Sequence, residues 1–448
     1  MKVWGYESMG VWKWGSEEVW GYSHSPTFPL PHSHTPIPPL PHFPTSILPY
    51  SPYMKPLDYI RVVDLSRILA GPYCSMMLGD MGAEVIKIES VEEGDVTRGW
   101  GPPFIQGESS YFLSINRNKK SLTLDLKQKE GQQILRELIQ KSDVMLENFR
   151  PGVLDKLGFG YERVRELNPR IIYCSVSGFG HTGPSKDKPG FDLVLQGEGG
   201  IMSLTGDPQG PPMKVGVSQA DMVSGMLAFH GILLALLVRE RTGRGQKVDI
   251  SMLDGQVALL SHQAGIYFAT GKAPMRRGNE HPAIVPYETY EAADGYINIA
   301  VGTEGLWARF CEVIERPDLR DDPRFRRNAD RVQNHKELNS ILNPLFKGKR
   351  VQEWILKLEA AGIPCGRIKN VAEVCQDPQV LAREMIVSLP HPTVGEVKMT
   401  GIPIKLSETP GAIELPPPLL GQHTEEILQQ VLGYSEEKIR LLREKKVI

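Results

Sequence analysis

From residue 54 onward, short apolar runs alternate with longer segments in which apolar residues recur every three or four positions. Five runs have the length and the β-branched content of buried strands: 60–65, 83–89, 121–126, 144–148 and 170–176. The helical period predicts helices at 73–81, 129–140 and 222–237, with a turn at 70–72 before the first of them. Strands that alternate with helices predict an α/β fold, with a doubly wound, Rossmann-like parallel sheet in a large domain.

Residues 275–375 have a different pattern and predict a smaller α/β domain. Strands are expected at 287–290 and 296–301, and helices at 305–314, 332–346 and 351–361. Residues 54–270 then form the first part of the large, ligand-binding domain. Residues 376–448 form a C-terminal part that returns to this domain, with a proline-rich stretch at 416–423 just before a helix.

The first 53 residues show no helical or strand period. They hold four of the seven tryptophans and ten of the 36 prolines, which favours a disordered Pro- and Trp-rich tail. They contain no arginine and no apolar core with basic flanks, so the marks of a mitochondrial presequence or a secretory signal are missing. We expect that translation begins at Met54 and that the tail is upstream read-through. A metal-binding histidine tract or a Pro-rich ligand for a partner is the alternative.

Composition adds limits on partners and compartment. The net charge is −2, which gives no reason to expect nucleic acid or an anionic membrane as a partner. The longest apolar run, 232–238, is too short to span a bilayer and predicts a buried helix. Five scattered cysteines without a CxxC pair suit free thiols, and hence the cytoplasm, or the mitochondrial matrix in a eukaryote. No spacing of His, Cys, Asp and Glu suggests a metal site.

Asp221 is the leading candidate for chemistry. It follows a polar loop and precedes the apolar helix at 222–237, so that Ser218 is the expected N-cap and Asp221 lies in the first turn. There the free backbone N–H groups and the helix dipole favour an ionised carboxylate, which can act as a nucleophile. A capping-box acid without a chemical role is the alternative.

Parallel sheets bind ligands beyond the carboxyl ends of their strands, so the loops at 67–72, 89–98, 148–152 and 177–192 should line the cleft. No GxGxxG follows the first strand and no P-loop occurs, which argues against a dinucleotide or P-loop phosphate site. Basic side chains near the strand ends suit a nucleotide phosphate, with solvated surface charge as the alternative. They are Arg98, Arg117, Lys119, Lys120, Lys127, Arg150 and Lys156.

Eight short motifs, taken in order, resemble the class III CoA-transferases (the formyl-CoA transferase and carnitine CoA-transferase family). They lie at 63–72, 82–89, 94–98, 116–121, 147–152, 216–225, 242–249 and 418–424. Further stretches at 281–287, 391–395 and 416–423 are similar to the succinate–glutarate CoA-transferase branch. The resemblance covers residues 54–448 and leaves out the tail.

The resemblance implies a CoA-transferase that uses CoA thioesters and small carboxylic acids as substrates, with no permanently bound cofactor and no metal. Asp221 would be the nucleophile, forming an aspartyl anhydride and then an aspartyl-CoA thioester. An interlocked homodimer is also implied. The residues that match CoA contacts are Leu69, Ala70, Arg98, Leu124, Lys127, Asn148, Phe149, Arg150 and Lys156, with Asp192 at the acyl end of the cleft.

Smaller sequence differences from members of this family bear on the choice of substrate and on two alternative functions. We expect succinyl-CoA as donor and a dicarboxylate as acceptor, with Arg276, Arg277 or His281 binding the distal carboxylate; solvated loop charge is the alternative. The glycine-rich lid of the formyl-CoA enzyme is replaced by 278–287, which argues against oxalate and formate. One alternative is an α-methylacyl-CoA racemase, whose catalytic histidine falls at Phe191, a side chain that cannot carry a proton. A catalytically inactive CoA-binding protein is the other.

Overall fold

The structure is a computed structural model that describes residues 54–448, so the predictions made for residues 1–53 lie outside the described residues. Within the described part there are thirteen strands and nineteen α-helices. The strands are β1 Arg61–Asp64, β2 Glu84–Glu89, β3 Phe104–Ile105, β4 Glu108–Ser109, β5 Lys119–Thr123, β6 Val144–Glu147, β7 Ile172–Ser177, β8 Lys247–Ser251, β9 Tyr287–Ala292, β10 Gly295–Ala300, β11 Cys365–Arg367, β12 Ile386–His391 and β13 Gly395–Thr400.

The helices cover most of the rest, together with a 3-10 turn at Val96–Gly99. They are α1 Ala70–Asp80, α2 Ser110–Ile115, α3 Lys129–Gln140, α4 Val153–Lys156, α5 Tyr161–Leu167, α6 Asp192–Glu198, α7 Ile201–Leu204, α8 Gln219–Thr242, α9 Met252–Leu259, α10 Ser261–Thr270, α11 Glu304–Val313, α12 Asp318–Asp321, α13 Asn328–Gln333, α14 His335–Lys347, α15 Val351–Ala360, α16 Val371–Cys375, α17 Pro378–Ala382, α18 Thr424–Gln430 and α19 Glu436–Glu444.

Six strands form one parallel sheet in the order β5-β2-β1-β6-β7-β8. Alternate residues of each strand enter different cores: Val62 packs with α1 and α8 on one face, while Val63 packs with α3, α5 and α19 on the other. Helices therefore cover both faces, and the predicted doubly wound α/β class is confirmed. Since β1 lies between β2 and β6, the chain reverses its direction of travel along the sheet there, which is where such folds open a crevice.

All five strands predicted between residues 60 and 176 are present, but some element boundaries differ and one further strand was not predicted. Residues 70–72 were predicted as a turn but form the first turn of helix α1, which begins at Ala70. Pro72 fits there because a backbone N–H in the first helical turn has no intrahelical partner, so the N–H that proline lacks is not needed. The edge strand β8 was missed, since its alternating polar side chains resemble a loop. The helix predicted at 332–346 is broken into α13 and α14 at Asn334.

Helix α8 is longer than predicted and is not the buried helix that the sequence suggested. It ends at Gly243, which takes the left-handed conformation (φ 70°) that favours glycine. Leu234 and Leu237 are 66% and 55% exposed, so only one side of the helix is covered. By length and composition α8 is the one helix within residues 54–448 that could cross a membrane, a criterion that core helices of soluble proteins also meet.

Residues beyond 285 build a core of their own around the antiparallel sheet β9-β10-β11. Trp307, Phe346 and Trp354 from α11, α14 and α15 fill this core. The hairpin β12–β13 packs instead with Leu113. Helices α18 and α19 pack on the large sheet with α3. The domain limits given above remain a prediction.

Candidate active site

A cavity of about 850 Å³ opens at the carboxyl ends of β5, β2, β1 and β6. We call it the nucleotide cavity, because the sequence predicts contacts to a nucleotide phosphate at these strand ends. Leu65 follows β1, Ser90 follows β2, Leu124 follows β5 and Phe149 lies just after β6, and all four line it. The cleft is therefore at the end of the sheet that the sequence predicted. Three of the four predicted loops contribute to the walls of this cavity.

Three predicted contact residues, Leu124, Lys127 and Phe149, lie in the cavity wall. Arg67 was not predicted, yet its guanidinium lies 4.9 Å from the centre of the Phe149 ring. The Asn148 side chain forms two hydrogen bonds with the backbone of Arg67. Its Oδ1 accepts the Arg67 N–H at 2.8 Å, and its Nδ2 donates to the Arg67 carbonyl at 2.7 Å. The loop after β1 and the loop after β6 are thus held together at the cavity.

Leu69 and Ala70 are buried where α1 begins and do not line the cavity. Ala70 lies close to helix α8: a Cβ added to Gly225 would come within 2.6 Å of the Ala70 carbonyl oxygen. Gly225 is one helical turn after Asp221. Residues 67–70 therefore lead from the nucleotide cavity to the first turns of α8.

Arg98 does not line the cavity. Its guanidinium bonds both carboxylate oxygens of Glu89, at 2.8 and 2.7 Å, and the Pro418 carbonyl at 3.1 Å. It also stacks on Phe112, with 3.7 Å between the guanidinium carbon and the ring centre. This placement gives Arg98 an internal structural role instead of the predicted phosphate contact. Arg150 and Lys156 are exposed and lie outside the cavity lining.

Asp192, at the start of α6, caps helix α8 from a distance of 28 residues in the sequence. Its Oδ1 accepts the backbone N–H of Ala220 at 2.8 Å, and its Oδ2 accepts the side-chain amide of Gln196 at 2.8 Å. Ser218 is the N-cap residue, as predicted, but its side chain makes no capping hydrogen bond. Asp192 takes that role and brings a second carboxylate to the first turn of α8.

Asp221 lies in that first turn, partly exposed. Within residues 54–448 no donor hydrogen-bonds to its carboxyl group, so the capping-box interpretation is wrong for this residue. Burial, and then the negative charge of Asp192, raise the pKa of Asp221 to about 7. Burial and Asp192 thus oppose the ionised form that the helix N-terminus is expected to favour. Near neutral pH the carboxyl is poised between its two forms.

Sequence reasoning missed Tyr111, in α2. Burial, followed by the charges of Asp221, Asp192 and Asp95, raises the pKa of Tyr111 to about 12, which keeps its hydroxyl protonated. The ring meets that of Trp100 edge-on, with centres 5.3 Å apart. No sequence signal pointed to this residue, because three strands of the large sheet, β5, β6 and β7, separate it from Asp221 along the chain.

The residues expected at the acceptor end lie on a segment linked to Asp192. Arg276 bonds the carbonyls of Asp207 and Gly210, at 3.2 and 2.7 Å. From Gly210 the chain continues to Val215, whose backbone N–H donates to the Gln196 side chain at 2.8 Å. The Gln196 amide in turn donates to Asp192, which links the Arg276 contacts to the first turn of α8. His281 stacks on His262, 5.8 Å away, and burial lowers the pKa of its imidazole.

Two histidines lie in clusters outside this region. His335 bonds the Glu288 carboxylate at 2.7 Å with one ring nitrogen and faces Glu280 at 3.7 Å with the other. The Glu288 hydrogen bond raises the pKa of His335, so the three residues form an ion-pair cluster, which sequence spacing did not suggest. His181 lies 2.6 Å from the Ser175 hydroxyl through its Nε2 and forms a hydrogen bond with it.

The fold and the site define an α/β enzyme with a ligand cavity at the strand ends and a poised carboxyl in the first turn of α8. The chain belongs to CoA-transferase family III, and the sequence model of this family matches residues 57–424. It is 43% identical over 389 residues to succinyl-CoA:glutarate CoA-transferase of Mus musculus, covering 87% of this chain and 89% of that protein.

Other relatives show how far this likeness extends. Acetyl-CoA:oxalate CoA-transferase of Acetobacter aceti is 42% identical, over 80% of this chain and 93% of its own. The crystal structure of a CAIB/BAIF family protein from Brucella suis matches with a TM-score of 0.76 at 41% identity, covering 84% of this chain and 99% of that one. The protein is therefore a CoA-transferase, acting on acyl-CoA and carboxylic acids. Overall identity does not separate glutarate from oxalate as the acid.

Proposed function

We propose that the enzyme moves CoA from succinyl-CoA to a dicarboxylic acid, with Asp221 as the nucleophile. The observation that carries the proposal is the Asp221 carboxyl group itself. It accepts no hydrogen bond within the described chain, is partly exposed, and lies near the path that residues 67–70 make from the nucleotide cavity. A carboxylate without hydrogen-bond donors keeps its lone pairs free to attack a carbonyl carbon.

The proposed reaction is a sequence of four balanced acyl transfers. An Asp221 oxygen attacks the donor thioester, which expels CoA thiolate and leaves a mixed anhydride. The thiolate attacks the aspartyl carbonyl, and the donor acid departs with the bridging oxygen. The acceptor acid then attacks the aspartyl-CoA thioester and again expels the thiolate. Finally the thiolate attacks the acceptor carbonyl, which releases the new acyl-CoA and the Asp221 carboxylate.

Two neighbours of Asp221 support these steps. Asp192 raises the pKa of Asp221, and a more basic carboxylate is a stronger nucleophile in its ionised form. Tyr111 stays protonated and lies near both carboxyl groups, so its hydroxyl can donate to an oxygen of the thioester or of the anhydride.

An isotope experiment tests the role of Asp221. When [¹⁸O]glutarate is the acceptor, the proposed sequence leaves one acceptor oxygen on the enzyme carboxylate in each turnover. Mass spectrometry of the peptide that contains Asp221 should show ¹⁸O only when succinyl-CoA is also present. Asp187→Asn, at an exposed aspartate, should label like the wild type. Turnover without label in Asp221 would exclude the covalent route.

The identity of the acids is tested by a panel. The glutarate named for the mouse relative and the oxalate named for the bacterial one should be compared with acetate and butyrate, each with succinyl-CoA. New thioesters of glutarate, and few of the monocarboxylates, are expected if Arg276, Arg277 or His281 binds a distal carboxylate. Loss of this preference in Arg277→Ala would support that placement. Equal use of butyrate would contradict the dicarboxylate proposal.

We also propose that two copies form a dimer through the uncovered apolar side of α8 and α10. Leu234, Leu237 and Phe268 are 66%, 55% and 80% exposed, more apolar surface than a monomer usually leaves in water. Light scattering on the purified protein should give twice the chain mass of 50.0 kDa. A monomer that remains active would contradict this proposal.

A further inference from the structure

Residues 445–448 close one wall of the nucleotide cavity. Lys445 and Lys446 line it, while Val447 and Ile448 are buried in the core beneath the sheet. The Asp125 N–H donates to the Val447 carbonyl at 2.8 Å, and the Gln128 amide lies 3.2 Å from the Lys446 carbonyl. The segment is thus fastened to the loop after β5.

Lys446 adopts a backbone conformation that non-glycine residues rarely take. Its φ is 56°, in the left-handed region, whereas the chain on both sides is held by hydrogen bonds and by burial. It belongs to the end of α19, where the Lys446 N–H donates to the Arg443 carbonyl and the Val447 N–H to the Leu442 carbonyl, both at 2.9 Å, as is common at helix C-termini. This backbone conformation fixes the position of the Lys446 Cα in the cavity wall.

The charges in the cavity wall are not equally available to a ligand. The Lys445 ammonium pairs with Glu130 at 3.1 Å, whereas the Lys446 ammonium has no ion-pair partner within residues 54–448. Among the acidic side chains, Glu89 is bound by Arg98, and Asp125 accepts the N–H of Lys127. Glu92 and Glu93 are exposed on the loop after β2 and oppose an anion.

We propose that Lys446 binds a phosphate group of the CoA nucleotide. Ser90, which follows β2 at the cavity, brings no charge, so the cations left in the wall are Arg67, Lys127 and Lys446. A phosphate placed there supplies the anion that the Lys446 ammonium lacks. This inference rests on the proposed function, since it presupposes that the cavity holds the nucleotide of an acyl-CoA substrate.

The test compares Lys446→Met with Lys129→Met, at an exposed lysine outside the cavity lining, as a matched control. Titration calorimetry gives the Kd for CoA, and kinetics give kcat/KM for succinyl-CoA and for succinyl-pantetheine, which lacks the nucleotide. Lys446→Met should weaken CoA binding about tenfold, a typical loss for one charge-assisted contact. It should leave kcat and the succinyl-pantetheine reaction unchanged. Lys446→Arg should stay near the wild type, as should Lys129→Met.

Backbone strain has its own control. Lys446→Gly removes the charge and relieves the left-handed conformation, so it should weaken CoA binding as Lys446→Met does. The proposal is overturned if Lys446→Met binds CoA like the wild type, if the succinyl-pantetheine reaction falls equally, or if Lys129→Met loses as much affinity for CoA. Any of these leaves the proposed function standing. A wild-type enzyme that neither binds CoA nor uses succinyl-CoA would overturn both.

Discussion

The first turn of α8 and the nucleotide cavity are built in different ways. At α8, one carboxyl group is tuned by burial and by a single partner, Asp192, which is fixed by two hydrogen bonds of 2.8 Å. In the cavity, a wide wall is shared by loops from four strands and by the segment at 445–448. In the proposed mechanism the chemistry depends on the Asp221 carboxyl group alone, whereas nucleotide binding is distributed over the cavity wall. Substitution of Asp221 should therefore abolish activity, while single substitutions in the cavity should act in small steps.

Asp221→Asn should have the largest effect. The amide has the same shape but cannot form the anhydride, so kcat should fall about a thousandfold or more. The Kd for CoA should stay near the wild-type value, because the cavity is intact; calorimetry and acyl-CoA mass spectrometry measure the two quantities. A variant that retains a tenth of the wild-type kcat would remove Asp221 from the chemistry.

Arg98→Met tests which region Arg98 serves. Its removal leaves Glu89, whose side chain is 1% exposed, without its bidentate partner, and the free energy of unfolding should fall by about 3 kcal/mol. Arg150→Met, at an exposed position, should change it by less than about 0.5 kcal/mol. Urea denaturation gives both values. If Arg98→Met keeps its stability but raises KM for succinyl-CoA, Arg98 belongs to the cavity after all.

Phe149→Ala tests the distributed side of the comparison. Loss of a ring that lines the cavity should raise KM for succinyl-CoA about tenfold, the usual effect of removing one stacking partner from a base. The kcat value should remain, since Asp221 is untouched. A drop in kcat as large as that of Asp221→Asn would show that the two regions are not independent.

Asp192→Asn should have the smallest effect, visible in the pH profile. In the wild type the rate should fall as the pH drops through about 7, because Asp221 becomes protonated and loses its nucleophilic lone pair. Removal of the Asp192 charge lowers the pKa of Asp221, so this acid limb should move to lower pH. Burial is the larger cause of the raised pKa and remains, so the shift is partial. An unmoved limb would show that the two carboxyls are not coupled.

Much of the frame was predictable because the signals are local. The buried strands before residue 176 have runs of apolar residues, and their carboxyl ends placed the cavity correctly. Edge strand β8 was missed because Lys247 and Asp249 alternate with its apolar residues, which weakens the signal of a buried strand. Arg98 was assigned to the ligand because a sequence shows a positive charge but not the Glu89 carboxylate that neutralises it.

The sequence by itself determined the α/β class, the position of Asp221 in the first turn of a helix, and the family likeness, since periodicity and motif order depend on neighbours along the chain. Only the tertiary structure decided what surrounds Asp221. The Asp192 cap on Ala220, the nearby Tyr111 hydroxyl and the segment at 445–448 in the cavity wall all join residues far apart in sequence. A pKa depends on burial and on charges in space, so the poised state of Asp221 arises only when the chain folds.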